Sequence, residues 1–219
     1  MKERPILFSG AMVRALLAGT KTQTRRIAKG IGDDVVAVEW GSPEVKTRSG
    51  ESEAGPEVFA AWGEEWHVKS PYGAPGDRLW CRETWRVSDA AEGEITYRAN
   101  DEARRFVSDQ GGDFWRGKAR DPKWRPSIFM PRWASRLTLE VVSVRVERLC
   151  DISEADAKAE GIAKCNEGGW HGWGNHGEHG TWCHDSARLP YADLWNHING
   201  DGAWALSPWV WVIEFRRAR

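Results

Sequence analysis

At 219 residues the chain is long enough for one sizeable domain with a real core. Lys plus Arg is 31 against Asp plus Glu 32, a formal net charge of −1. That near-balance excludes a protein held to nucleic acid by bulk charge, so any such contact must be local. No apolar run approaches the ~20 residues of a membrane span.

The opening residues, MKERPILFSG, lack the apolar stretch of a signal peptide, and the expected location is the cytoplasm. Pro5 to Phe8 reads as a first strand. Ser9 stands where a helix N-cap belongs, before Met12, Leu16 and Leu17 at helical spacing. Gly19 is suited to end that helix. Lys21, Thr22, Gln23, Thr24, Arg25 and Arg26 follow with no acid among them. Such a run is either a solvated turn or the floor of a cationic pocket.

Between Asp33 and Tyr72 the pattern is weak. VVAVEW and EWHVKS read as strands, and the Gly-, Ser- and Glu-rich stretch between them reads as a flexible insertion. A Pro75-Gly76-Asp77 turn then leads into a strand from Arg78 to Thr84, with another from Glu94 to Ala99. Ser135 to Leu149 carries the longest alternating pattern, long enough to bend or bulge partway. Ser153 caps a short helix that Gly161 ends, Leu189 to Ile198 reads as a further helix, and Pro208 to Phe215 is a dense closing strand. The expectation is one α+β domain over residues 1–219 built on a mixed or barrel-like sheet. Insertions are expected near 41–58, 100–124 and 163–187.

Four cysteines, Cys81, Cys150, Cys165 and Cys183, are widely spaced and read as free thiols. The 15 tryptophans are read mainly as core and pocket wall. Cys165, His171, His176, His179, Cys183 and His184 are all possible metal ligands, but no closely spaced cysteine pair accompanies them, and no metal is expected. From Arg116 to Arg136 seven basic residues face the single acid Asp121, with Trp115, Trp124, Phe129 and Trp133 interleaved. This is either a solvated face or a surface for single-stranded RNA.

Taken in order, GTKTQTRR, PGDRLWCRETW, the long strand entering DISEADAKAEGI and the closing WVWVIEF resemble the ASCH domain family of the PUA-like superfamily. The match covers most of the chain, and long versions of the pattern are common in phage and prophage genomes. The resemblance implies a small β-barrel flanked by short helices. Its most specific element, G-x-K-x-x-T-x-R, falls on Gly19, Lys21, Thr24 and Arg26. One bacterial member is an amidohydrolase that removes the acetyl group from N4-acetylcytidine. By likeness to it the catalytic residues would be Lys21, Thr24 and Glu160, with no cofactor. Other members are linked to RNA binding or ribonuclease activity, so single-stranded RNA or tRNA is a possible partner beside a small modified nucleoside.

Chemically, Thr24 would attack the acyl carbonyl while a neutral Lys21 takes its proton. For this, burial or neighbouring cations such as Arg25 and Arg26 must lower the lysine's pKa from about 10.4. Glu160 would manage the proton of the departing amine or hold Lys21, and Arg26 or backbone N–H groups would steady the oxyanion. On a straight strand Lys21 and Thr24 point to opposite faces, so they converge only if the chain bends. Trp80 and Glu83 are candidates for substrate binding. Glu83 is equally suited to a structural ion pair with Arg82 or Arg136.

Overall fold

The computed structural model describes residues 1–29, 31, 38–41, 44–46, 52–54, 58–61, 67–68, 70–87, 95–100, 123–164, 169–171 and 183–218. Five strands make the main sheet: β1 (Glu3–Leu7), β2 (Gln23–Ile27), β3 (Arg78–Arg82), β4 (Thr138–Arg148) and β5 (Trp209–Arg217). Their order across the sheet is β1-β3-β4-β5-β2. β1 runs parallel to β3, and the other neighbours are antiparallel. The chain is therefore α+β.

Among the described residues the sheet does not close into a barrel, because β1 pairs only with β3 and β2 only with β5. A side chain joins the two edges instead. Arg26 on β2 donates to the Leu7 carbonyl at the end of β1 at 2.7 Å.

Local chemistry explains where the elements start and stop. Helix α1 (Gly10–Leu17) begins at Ser9, whose hydroxyl accepts from the Met12 N–H, and it buries Met12, Val13 and Leu16. Gly19, at φ +74°, takes the left-handed conformation that ends it. Helix α2 (Glu154–Ala159) begins at Ser153, whose hydroxyl accepts from the Asp156 N–H at 3.1 Å and donates to the Asp156 carboxylate at 2.9 Å. Helix α3 (Arg188–Asn199) buries Pro190, Tyr191, Leu194 and Trp195, and Gly200 caps it.

The long strand β4 bulges as expected: its register with β5 shifts between Val141 and Ser143, which leaves Val142 as the extra residue. In β5, residues Trp209 to Ile213 and Phe215 are all buried, the near-continuous apolar run of a strand covered on both faces. Trp80, Trp85, Trp195, Trp209 and Trp211 are buried, so much of the tryptophan excess serves packing. Trp85, Met130 and Ala134 form a second, smaller cluster.

The stretch expected as a flexible insertion holds paired strands. Val38–Gly41 pairs with Val58–Ala61, and inside that pair Glu44–Lys46 pairs with Ser52–Ala54. Backbone pairing organises polar sequence here without an apolar run to announce it. Most of the expected insertions at 100–124 and 163–187 lie outside the described residues. Cys183 is disulfide-bonded, which corrects the expectation of four free thiols; Cys81 and Cys150 are free. Trp170–His171 pairs with Cys183–His184. Among the described residues no helix is long and apolar enough to cross a membrane.

Gly161 sits where α1, α2 and the approach to β2 meet. Its φ is +89°, and an added Cβ would lie 3.0 Å from the Lys21 Cβ and 3.1 Å from the Ala15 Cβ. Substitution to alanine meets both a disfavoured backbone and a crowded wall. Gly161→Ala is expected to destabilise the fold by about 2 kcal/mol or more, measured by urea denaturation. A loss near zero would mean that the junction relaxes freely.

Candidate active site

Two backbone contacts direct the approach to β2. The Lys21 N–H bonds back to the Ala15 carbonyl of α1, and the Thr22 N–H bonds to the Ala159 carbonyl of α2. Lys21 thus lies between both helices before the strand begins. Its side chain is buried, and its ammonium donates to Glu160 Oε2 at 2.6 Å and to the Glu160 carbonyl at 2.9 Å. One lysine therefore neutralises a buried carboxylate and satisfies a carbonyl at the end of α2.

Glu160 gathers further partners. Tyr191 on α3 donates its hydroxyl to Oε1 at 3.3 Å, and Arg25 approaches the same oxygen at 3.4 Å. Arg25, itself buried, also binds Gln23, Glu147 and Asp156. From there Arg145 continues the chain of charges through Glu147, Asp156 and Glu214 toward solvent.

Burial is the main influence that lowers the Lys21 pKa from its ordinary 10.5; the Glu160 carboxylate opposes it, and Arg26 and Arg25 add to it. Burial, with the Glu160 charge adding, holds the Tyr191 phenol well above its usual range, so it remains a donor. Burial chiefly, and then Glu83, pushes the Cys81 thiol up to about 12, which leaves it inert as a nucleophile near neutral pH.

Glu160 opens onto a pocket of about 470 Å³. It is lined by Phe8, Met12, Arg25 and Arg26, and by Tyr191, Leu194, Trp195 and Ile198 of α3. Ser9, Thr84, Ser127 and Asn199 add polar groups. A mostly apolar cleft of this size with few convergent polar groups suits a small organic ligand.

Of the sequence-expected residues, Glu160 and Arg26 line this pocket, and Lys21 touches Glu160 from behind. Lys21 and Arg26 flank one ring, with Nζ 5.9 Å and the guanidinium 5.4 Å from the Phe8 centroid. Thr24 is placed differently. Paired with Ile213 in β5, it is fully buried and does not line the pocket, and its hydroxyl has no hydrogen-bond partner among the described residues. The Lys21 ammonium goes to Glu160 and not to Thr24.

Trp80 and Glu83 also lie off the pocket. Glu83 is buried in a bidentate pair with Arg136, both contacts 2.8 Å, which is the structural alternative raised for it. Trp80 lies beneath the Arg82 guanidinium, 4.6 Å from its centroid. Asp77 serves its turn, accepting from the Lys2 and Ala74 N–H groups.

Within the basic stretch several cations are engaged internally. Arg132 pairs with Glu3, Arg136 with Glu83, and Arg125 lies over Trp85. Phe129 and Trp133 nevertheless stand exposed, at 71% and 70%. Among the described residues no three His, Cys, Asp or Glu side chains cluster as metal ligands. His176, His179 and Cys165 lie outside those residues.

Sequence reasoning missed Tyr191 and Trp195. Their i,i+4 spacing on an expected helix was the available signal, but it marks ordinary burial equally well. Comparisons with protein-family models, with curated proteins and with solved structures find no match.

A charged Lys21 opposes folding because its pKa in the unfolded chain, near 10.5, is higher than in the folded one. That opposition is complete at low pH and lifts as pH rises from the folded pKa toward 10.5. The stability of the wild type relative to Lys21→Met should therefore rise as pH increases toward 10.5. Urea denaturation across that range reads the difference. A constant or falling difference would show that Lys21 titrates alike in both states.

Proposed function

We propose that the pocket hydrolyses the amide of an N4-acylated cytosine nucleoside, with Glu160 and Lys21 as the proton-transfer pair. The observation that carries this reading is the 2.6 Å contact between the buried Lys21 ammonium and the carboxylate of Glu160, a residue that lines a nucleoside-sized cleft. The likeness of its motifs to those of ASCH proteins supports the substrate class.

The proposed chemistry uses water as nucleophile. Glu160 accepts a proton as the water oxygen attacks the acyl carbon. The carbon–nitrogen bond breaks, and the proton passes from Glu160 to the departing 4-amino nitrogen. The products are the free carboxylic acid and the cytosine nucleoside. Delivery of that proton returns Glu160 to the carboxylate, which the Lys21 ammonium holds in place across their 2.6 Å hydrogen bond. Arg26 lends positive charge to the developing oxyanion.

This division of labour departs from a Thr24 nucleophile, which would have to reach the pocket from a position within the sheet. A second reading rests on the exposed Phe129 and Trp133, whose neighbour Ser127 lines the pocket. Bases of a single RNA strand would stack on these rings while one nucleotide enters the cleft.

Release of cytidine from N4-acetylcytidine tests the first reading. Wild type should turn over, and Lys21→Met and Glu160→Gln should each lose about 10²-fold or more in kcat. Thr24→Val, isosteric and without a hydrogen bond to lose, should stay within about threefold of wild type. A loss at Thr24→Val as large as at Lys21→Met would return the nucleophile to Thr24. No turnover by wild type, together with tight, salt-dependent binding of a single-stranded oligoribonucleotide, would replace the hydrolase by the RNA reading.

A further inference from the structure

Tyr191 is a buried titratable group beside Glu160 that the proposed chemistry leaves unused. It lines the cleft, is 3% exposed, and its hydroxyl has one partner among the described residues, Glu160 Oε1 at 3.3 Å. Its ring is held on two sides. Trp195 lies against it with centroids 6.4 Å apart, and Trp204 meets it edge-on at 6.1 Å. A tyrosine has few side-chain torsions, so fixing the ring fixes the direction of the hydroxyl. Burial, with the Glu160 charge adding, keeps that hydroxyl protonated well above its usual range.

The two oxygens of Glu160 are held differently. Oε2 accepts from the Lys21 ammonium at 2.6 Å, and Lys21 does not line the cleft. Oε1 accepts from Tyr191 and, at 3.4 Å, from Arg25, and both of these residues do line it. The contacts to Oε1 are longer than ordinary hydrogen bonds, so this oxygen keeps more of its capacity to take a proton. Arg25 competes for it with a full charge. A carboxylate turned wholly onto a guanidinium is a weaker base, whereas a neutral phenol holds the same oxygen at less cost to its basicity.

We propose that Tyr191 is a positioning residue: its hydroxyl keeps Glu160 Oε1 from closing onto Arg25 and presents it as the oxygen that takes the proton of the attacking water. This rests on the hydrolase reading and adds which oxygen acts and what orients it. Tyr191 itself neither gives a proton to the substrate nor takes one. Without the hydroxyl the carboxylate turns toward Arg25, substrate still binds, and the proton-accepting step slows.

Tyr191→Phe keeps the ring between the two tryptophans and deletes only the hydroxyl. With N4-acetylcytidine as substrate, kcat should fall about tenfold or more while KM stays within about threefold. Trp204→Phe disturbs the packing of the same ring but spares its hydroxyl, and kcat should stay within about threefold of wild type. A second readout needs no turnover. On protein carrying tyrosine labelled with ¹³C at Cζ, the chain's 3 tyrosines give separate signals, and Tyr191→Phe identifies its own by disappearance. Glu160→Gln should move the Tyr191 signal and leave those of Tyr72 and Tyr97 in place. A KM loss in place of the kcat loss, an equal kcat loss in Trp204→Phe, or a Tyr191 signal indifferent to Glu160→Gln would each overturn the role. Turnover by wild type with kcat kept in Tyr191→Phe would sink the positioning role and spare the hydrolase. A Tyr191 signal tied to Glu160 in a protein without turnover would remove the hydrolase and leave Tyr191 as the group that orients the carboxylate.

Discussion

Two opposite charges taken out of water and joined to each other govern the organisation around the pocket. Each alone would cost several kcal/mol to bury, and together they offset much of that cost only in good geometry. Lys21 comes from the approach to β2 and Glu160 from the end of α2, 139 positions later. Their meeting requires Gly161 to turn the chain and leave room, α1 to supply the Ala15 carbonyl, and α2 to supply its last carbonyls. The same requirement explains why Tyr191 and Arg25 converge there, since the carboxylate has two oxygens to satisfy and one lysine reaches only one of them.

The pair also divides the surroundings by electrostatic character. On one side runs a ladder of alternating charges, Arg25 with Glu147 and Asp156 and then Arg145 with Glu214, which reaches solvent along the sheet. On the other lies a mostly apolar cleft that Glu160 helps to line. Charges balanced on the sheet side leave the cleft close to neutral in its demand for a ligand. A proton-transfer pair in such a position works against a low-dielectric wall, where small changes in partner charge shift proton affinity strongly. The Arg26 side chain joins the edges of the open sheet over the Phe8 ring, so one residue of the cationic run serves both architecture and pocket.

Much of this was legible in the residues. Ser9, Gly19, Ser153 and Gly161 mark helix ends by backbone chemistry that needs no tertiary information, and all four stand where local rules put them. The alternation of β4 and the apolar density of β5 carried the central strands, bulge included. Lys21 and Glu160 were singled out by the family resemblance, with burial or neighbouring cations expected to lower the lysine's pKa, and burial is the larger cause. What the residues did not show depends on distance in space. The nested strands around Glu44–Lys46 lie in polar sequence, and the disulfide at Cys183 joins positions that spacing alone does not connect. The open sheet is a matter of which edges pair. Thr24 was grouped with Lys21 by three positions of sequence, yet the strand begins between them at Gln23 and sends the two side chains to different partners.

The most direct measurement is the titration of the Lys21 side-chain nitrogen by ¹⁵N NMR, with the signal identified through Lys21→Met. The account expects it to titrate below its ordinary value of 10.5, and to move when Glu160→Gln removes its partner charge. A Lys21 nitrogen that titrates at the ordinary value and ignores Glu160→Gln would contradict the buried pair on which the proposed chemistry stands.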